Sequence, residues 1–192
     1  MVPVSDAQLF VNAPEVPLDS PDRIRATDPT YWQLHEFLND EAALLDADQL
    51  LQWLELTADD VRYRMPVRVG VHRGFGDGFA RRMYFYNDTK KVLAMRIHRL
   101  VGTRNGWVED PPSRTSRFVT GVRAYTSDKP EEFVVHSKLL LTRSRSDLGE
   151  VKLLSAHRLD RLRRQGGDIK LANRDIYLDQ TTINMHNMAV FL

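Results

Sequence analysis

Six histidines, at positions 35, 72, 98, 136, 157 and 186, are the first candidates for metal binding or proton transfer. No two stand three or four residues apart, the step that puts two ligands on one helix face, and no zincin signature is present. A metal site would have to be assembled by folding distant histidines together with a carboxylate. Asp46 with Asp48, and Asp59 with Asp60, are spaced as paired carboxylates for acid–base work. Both pairs fall where helices begin or end, so capping explains them with no chemistry. His35 and Glu36 lie side by side among apolar neighbours and are the remaining proton-transfer candidates, provided they face a cavity. Gly74 to Gly78 is glycine-rich, but no lysine-bearing helix start follows a strand there, so the phosphate-loop and dinucleotide patterns are absent. Arg158, Arg161, Arg163 and Arg164 form the densest basic run. With few aromatics interleaved, a solvated strand edge or a salt-bridged subunit contact fits it better than nucleic acid.

The composition narrows the chemistry further. The 192 residues contain no cysteine, which excludes disulfides, thiol nucleophiles and thiolate-held zinc or iron–sulfur centres. Lys and Arg total 27 against 26 Asp and Glu, a formal charge of +1, which argues against a general nucleic-acid or membrane-surface binder. Hydrophobic residues make up 42% of the chain, enough for a globular core. There is no apolar run of transmembrane length and no signal-peptide pattern at Met1 to Phe10, so a cytoplasmic protein is expected. Of the 27 cations, 21 are Arg. Arg is favoured where planar, bidentate pairing is needed, as at subunit interfaces, although genomic codon bias would give the same count.

The elements that must position these groups follow from periodicity. Residues 1–27 hold four prolines (Pro3, Pro14, Pro17 and Pro21) and no helical or strand period, which predicts an extended arm before a single domain over 28–192. Asp28 and Pro29 suit a helix cap and first turn, and Tyr31, Leu34, Leu38 and Leu45 line one face of a helix to about Leu45. A shorter helix over Gln49 to Leu56 carries Leu50, Trp53 and Leu54, and Thr57 to Asp60 closes it. Val61, Tyr63, Met65, Val67, Val69 and Val71 then alternate with Arg62, Arg64, Pro66, Arg68 and Gly70, a strand with one basic face. Pro66 belongs at an edge or bulge. His72 to Ala80 reads as a loop. From Asn87 or Asp88 a helix returns, with Val92, Leu93, Ile97, Leu100 and Val101 inward and Lys90, Lys91 and Arg96 outward. After Gly102 to Pro112 the chain is strand-like. Phe118, Thr120, Val122 and Ala124 alternate with their neighbours, and turns near Ser127, Ser146 and Gly166-Gly167 make an antiparallel meander. Helices first and a long sheet after is an α+β pattern with helices on one sheet face.

Three stretches resemble the small, β subunits of aromatic-ring-hydroxylating dioxygenases. The first runs from His35 to Asp46 and continues through Trp53-Leu54 and Tyr63-Arg64-Met65-Pro66. The second is Trp107 to Val119, with its tryptophan, Pro-Ser-Arg-Thr run and strand entry. The third runs from Gly166-Gly167 through Ile176-Tyr177-Leu178-Asp179-Gln180 to the closing His186-Asn187-Met188-Ala189-Val190-Phe191-Leu192. Together they span about residues 28 to 192. The closing run looks closer to naphthalene-type members than to biphenyl-type ones, which implies a polycyclic aromatic substrate for the complex.

The resemblance implies a cone-like fold similar to nuclear transport factor 2 and scytalone dehydratase, with helices covering a long, curved, mixed and mostly antiparallel sheet. It implies three β subunits bound to three α subunits. The α subunit would carry the Rieske [2Fe-2S] cluster, the mononuclear iron and the substrate pocket, fed by a ferredoxin and reductase chain. This chain would be a structural β subunit with no cofactor or metal of its own. No nucleic-acid or membrane partner is expected. By residue type, Trp107, Arg114, Arg117 and Phe191 are candidates for subunit contacts; the alternative is that their segments complete this subunit's own core. Two other readings use the same fold. One is a stand-alone dehydratase or isomerase acting through His35 with Glu36, Asp46 or Asp59. The other is a ligand-binding module without catalysis.

Overall fold

In the computed structural model, which describes residues 10–11, 13, 17–72, 76, 78–101, 112–145, 149–185 and 187–192, the Asp28 carboxylate accepts a hydrogen bond from the Thr30 N–H at 2.8 Å. Pro29 takes the first position of helix α1 (Pro29–Asp46), where its missing N–H costs nothing. The predicted inward face holds: Leu34, Leu38 and Leu45 are buried, with Phe37 beside them, and Tyr31 is half-buried. Helix α2 (Leu50–Glu55) buries Leu50 and Trp53.

The sheet has eight strands in the order β1-β4-β3-β8-β7-β6-β5-β2. These are β1 (Phe10–Val11), β2 (Arg23–Ile24), β3 (Thr57–Arg68), β4 (Phe79–Thr89), β5 (Arg114–Thr126), β6 (Glu132–Ser144), β7 (Lys152–Gln165) and β8 (Asp168–Leu178). The last four form the expected antiparallel meander. β3 lies parallel to β8, which makes the sheet mixed. The register slips on both sides of Pro66, so this proline sits at a bulge, where its lack of an N–H is harmless. From the N-terminal region, β1 pairs with β4 and β2 with β5, so each covers one edge of the sheet. Helix α3 (Lys90–Val101) completes the set, and the three helices pack on the inner sheet face through one core that includes Leu34, Trp53, Tyr63, Leu93, Ile97 and Phe191.

Four expectations are corrected. The stretch Phe79–Thr89, read partly as loop and partly as helix, is strand β4. Its residues 81–85 are all exposed, so no alternation marks it. Thr57 to Asp60 opens β3 instead of closing a helix. The apolar face assigned to β5 is inverted in its first half: Phe118 is 55% exposed, whereas the Arg117 side chain is 3% exposed and turned inward. Arg96 does not face away either; its guanidinium lies 3.9 Å over the Tyr86 ring and 4.6 Å over the Phe191 ring.

One glycine is demanded by geometry. Gly78, just before β4, has φ +77°, and a Cβ there would meet the Val69 carbonyl oxygen at 2.3 Å. Its own carbonyl accepts from the Val69 N–H at 2.9 Å, closing the entrance to the β3–β4 pair.

Candidate functional site

The space between the helices and the inner sheet face is filled by the chain's own residues 187–192. Almost every carbonyl of this segment is held by a side chain from another element. Arg143 of β6 donates to the Asn187 carbonyl at 2.9 Å and to its side-chain oxygen at 2.9 Å. The Tyr86 hydroxyl of β4 donates to Met188. Arg96 of α3 reaches Val190 at 3.5 Å, and Arg117 of β5 reaches Phe191 at 2.7 Å and 3.2 Å. Leu192 is held three ways: its carbonyl accepts from Tyr63 at 2.9 Å and from Arg174 at 3.0 Å, and its N–H donates to the Tyr63 oxygen at 2.6 Å. Between these bonds the Phe191 ring packs on Trp53 with centroids 4.6 Å apart. Buried backbone must be hydrogen-bonded, and a single extended segment has no ladder to supply this; here arginines and tyrosines do.

Beneath the segment lies a buried ionic cluster. Arg174 of β8 bonds both Glu41 oxygens, at 2.6 and 2.7 Å, and both Asp160 oxygens, at 2.8 and 2.7 Å. The Trp53 indole donates to Glu41 at 3.0 Å. Arg158 approaches Glu41 at 3.6 Å and donates to the Ser137 hydroxyl at 3.1 Å. Two guanidiniums face two carboxylates, so the charges balance. Burial alone raises the Glu41 carboxyl, but Arg174 and Arg158 outweigh it and hold it below its usual value. Burial, reinforced by Arg174, pushes Arg158 down to about 10, against the pull of Asp160 and Glu41. Burial also lowers Arg174, yet Asp160 and Glu41 more than reverse that. Burial raises the Tyr63 hydroxyl, which stays protonated and able to donate. Glu41, Arg158 and Arg174 therefore keep their charges and hold position.

The proton-transfer candidates from the sequence are held by separate partners. His35 is half-buried and its Nδ1 lies 3.0 Å from the Asn39 amide, with its ring against Tyr31 and Trp32. Glu36 is exposed instead of facing a cavity. Asp46 is no helix cap. It accepts from the Arg117 N–H at 2.8 Å, from the Thr115 hydroxyl at 3.1 Å and from the Arg117 guanidinium, tying the end of α1 to β5. Asp59 and Asp60 lie on β3 and pair with Lys90 at 2.8 Å and Arg163 at 3.0 Å. The Lys90 bond lowers the Asp59 carboxyl. A cleft beside Asp46 and Arg117 has a volume of ≈ 120 Å³, small against the roughly 300–1,000 Å³ of small-molecule pockets.

The subunit-contact candidates divide. Arg117 and Phe191 are buried within the chain, Phe191 at 1% exposure, so they serve its own core and not a surface. Arg114 is exposed and lies 3.4 Å from the Ser144 hydroxyl. Trp107 and His186 lie outside the described residues. The basic run is split by strand alternation: Arg158 turns inward, while Arg161 and Arg163 bind Glu132 at 3.0 and 3.2 Å and Arg164 binds Glu131 at 3.0 Å. Glu41 and Arg174 carry no motif that marks them as functional. Their signal is positional: Glu41 falls on the Leu34–Leu38–Leu45 stripe, and Arg174 shares the inward face of its strand with Ile176 and Leu178. No group of three or more potential metal-ligating side chains occurs among the described residues, and no helix among them is long and apolar enough to cross a membrane.

Comparison with known proteins agrees with this architecture. A family profile described as "Ring hydroxylating beta subunit" matches residues 40–185. The N,N-dimethyl phenylurea N-demethylase subunit beta of Sphingobium sp. strain YBL2 is 34% identical over 158 residues, covering 82% of this chain and 89% of that protein. The 3-phenylpropionate/cinnamic acid dioxygenase subunit beta of Photorhabdus laumondii is 34% identical over 170 residues, covering 86% and 93%. A structure of naphthalene 1,2-dioxygenase with indole bound superposes with a TM-score of 0.77 at 28% identity, covering 89% of this chain and 90% of the matched one. A candidate scytalone dehydratase from Novosphingobium aromaticivorans shares the cone-like fold alone, with a TM-score of 0.58 at 14% identity over 84% and 91% of the two chains.

Proposed function

The chain belongs to the family of ring-hydroxylating β subunits, and from that membership we propose that its work in the complex is to give the large α subunit a rigid partner while the α subunit does the chemistry. The observation that carries this reading is the filled interior. Where a cone-shaped enzyme would keep a substrate cavity, this chain places its own residues 187–192 and secures them with side chains from α3, β3, β4, β5, β6 and β8. A stand-alone dehydratase or isomerase would need His35 gathered with an acid around a cavity; here Asp46 and Asp59 are held by other residues.

The finer expectations extend the same reading. The assembly is a three-α three-β hexamer. The α subunit holds the Rieske [2Fe-2S] cluster and the mononuclear iron, since a cysteine-free chain cannot supply the two thiolates of a Rieske centre. A ferredoxin and reductase deliver electrons from NAD(P)H to the α subunit, which adds both atoms of O₂ to an aromatic, in this reading polycyclic, ring as a cis-dihydrodiol. The complex works in the cytoplasm. Co-expression with the large-subunit reading frame, followed by size-exclusion chromatography and iron analysis, tests the proposal. An iron-containing complex with equal numbers of both chains is expected. A colourless homo-oligomer of this chain that turns over a substrate alone would overturn it.

A further inference from the structure

On the outer sheet face, two cations, Arg123 and Lys138, stand without a counter-charge among the described residues. Strand β5 carries a bulge opposite β6: Thr120 pairs with Lys138 and Arg123 with His136, so Gly121 and Val122 together face Ser137. Gly121 has φ +62°, the left-handed conformation that such a bulge uses. The extra residue turns Arg123 onto the same face as Lys138. On the next strand, His157 lies directly across from Lys138. The result is two cross-strand pairs, Arg123 with His136 and Lys138 with His157. The two imidazoles meet at 3.3 Å between Nδ1 of His136 and Nε2 of His157.

Several outward arginines of the sheet are paired, Arg64 with Asp175 and Arg161 and Arg163 with Glu132. The Arg123 and Lys138 side chains make no hydrogen bond or ion pair with any described residue. His136 is 1% exposed, and its Nε2 is a buried polar atom without a partner. Tyr125 of β5 covers its ring edge-on at 6.0 Å. Among the described residues, the acid acting on His157 is Asp179, whose carboxylate already accepts from the Ser155 hydroxyl at 2.7 Å. Burial, with His157 and Arg123, pushes His136 down to about 4, and burial, Arg123 and Lys138 lower His157. Both imidazoles are therefore neutral at pH 7; one N–H is used in the contact between the rings and the other remains to donate, beside the Arg123 and Lys138 side chains.

We propose that Arg123, Lys138 and the His136–His157 pair form a binding site for an oxyanion of the carboxylate or phosphate type. Such a ligand supplies the missing negative charge and accepts from the guanidinium fork, the ammonium and an imidazole N–H. Its source is either a free anion or a carboxylate side chain presented by the large subunit; the second source rests on the assembly reading above.

Histidine proton resonances of the intact chain, titrated with inorganic phosphate at constant ionic strength, test the free-anion source. A saturable shift of His136 and His157, with their pKa values raised by at least about half a unit and the response lost in R123Q/K138Q, supports it. For the partner source, Lys138→Glu is co-expressed with the large subunit; assembly at least tenfold weaker than wild type, with an unchanged melting curve for the subunit alone, supports it. If phosphate moves neither histidine and Lys138→Glu assembles like wild type, the proposal is overturned. If the wild-type chain does not assemble at all, the assembly reading fails separately and the phosphate titration alone decides.

Discussion

Arg174 and Glu41 meet through two hydrogen bonds of 2.6 and 2.7 Å although 133 residues separate them in the chain. The pair joins α1 to β8 at the centre of the core, and both side chains are essentially without solvent contact. Removing one partner of such a pair leaves an uncompensated buried charge. Glu41→Ala is expected to cost about 3–5 kcal/mol in reversible urea denaturation. A loss below about 1 kcal/mol would show that the cluster is not under this constraint.

The segment that fills the interior should be nearly as sensitive. Phe191 is buried against Trp53 and beneath the Arg96 guanidinium. Phe191→Ala is expected to cost about 3–5 kcal/mol and to change the near-ultraviolet circular dichroism of Trp53. An unchanged spectrum and midpoint would mean that the segment is not docked in solution.

Gly78→Ala tests the entrance to β4. An alanine Cβ would lie 2.3 Å from the Val69 carbonyl oxygen, at a φ of +77°. The variant is expected to lose more than about 1–3 kcal/mol, since backbone strain and a backbone clash add. Stability within about 0.5 kcal/mol of wild type would contradict the geometry.

Acid should weaken the fold before the carboxylates titrate. His136 has a folded pKa of about 4 against 6.5 for an unperturbed histidine. Between those values the unfolded chain binds the extra proton, so stability is fully present above pH 6.5 and falls as the pH drops towards 4. Glu41, also lowered, adds a loss of the same sign below its usual 4.5. Urea midpoints measured from pH 7.5 to 4.5 should decline in the wild type and decline less in His136→Gln. Parallel curves would contradict the assignment.

Elements with strong local signals were legible in the sequence. The Asp28-Pro29 start, the α1 stripe and the β3 alternation needed no tertiary information. Strand β4 was not legible, because residues 81–85 are all exposed and Met83, Tyr84 and Phe85 break any polar–apolar alternation. Glu41 and Arg174 were hidden for a different reason. A charged residue reads as solvent-facing unless its partner is known, and that partner lies on an element far along the chain. The arginine excess fits subunit contacts and codon bias alike, and neither points to the interior, where Arg96, Arg117, Arg143, Arg158 and Arg174 hold carbonyls, hydroxyls and carboxylates. The family resemblance succeeded where local pattern could not, because it rests on the order of several motifs along the chain.

If this chain supplies architecture and none of the reacting groups, its polar side chains can be replaced without loss of turnover. The direct measurement is kcat for an aromatic substrate in the assembled complex, comparing the wild-type chain with the triple variant H35A/E36Q/D59N. These side chains are exposed or half-buried, and their contacts, His35 with Tyr31 and Trp32 and Asp59 with Lys90, lie at the edge of the core, so assembly should survive, as size-exclusion chromatography will report. A kcat within about twofold of wild type and no turnover by the isolated chain are expected. A hundredfold fall in kcat, about 2.7 kcal/mol in the barrier, with assembly and iron content intact would contradict this.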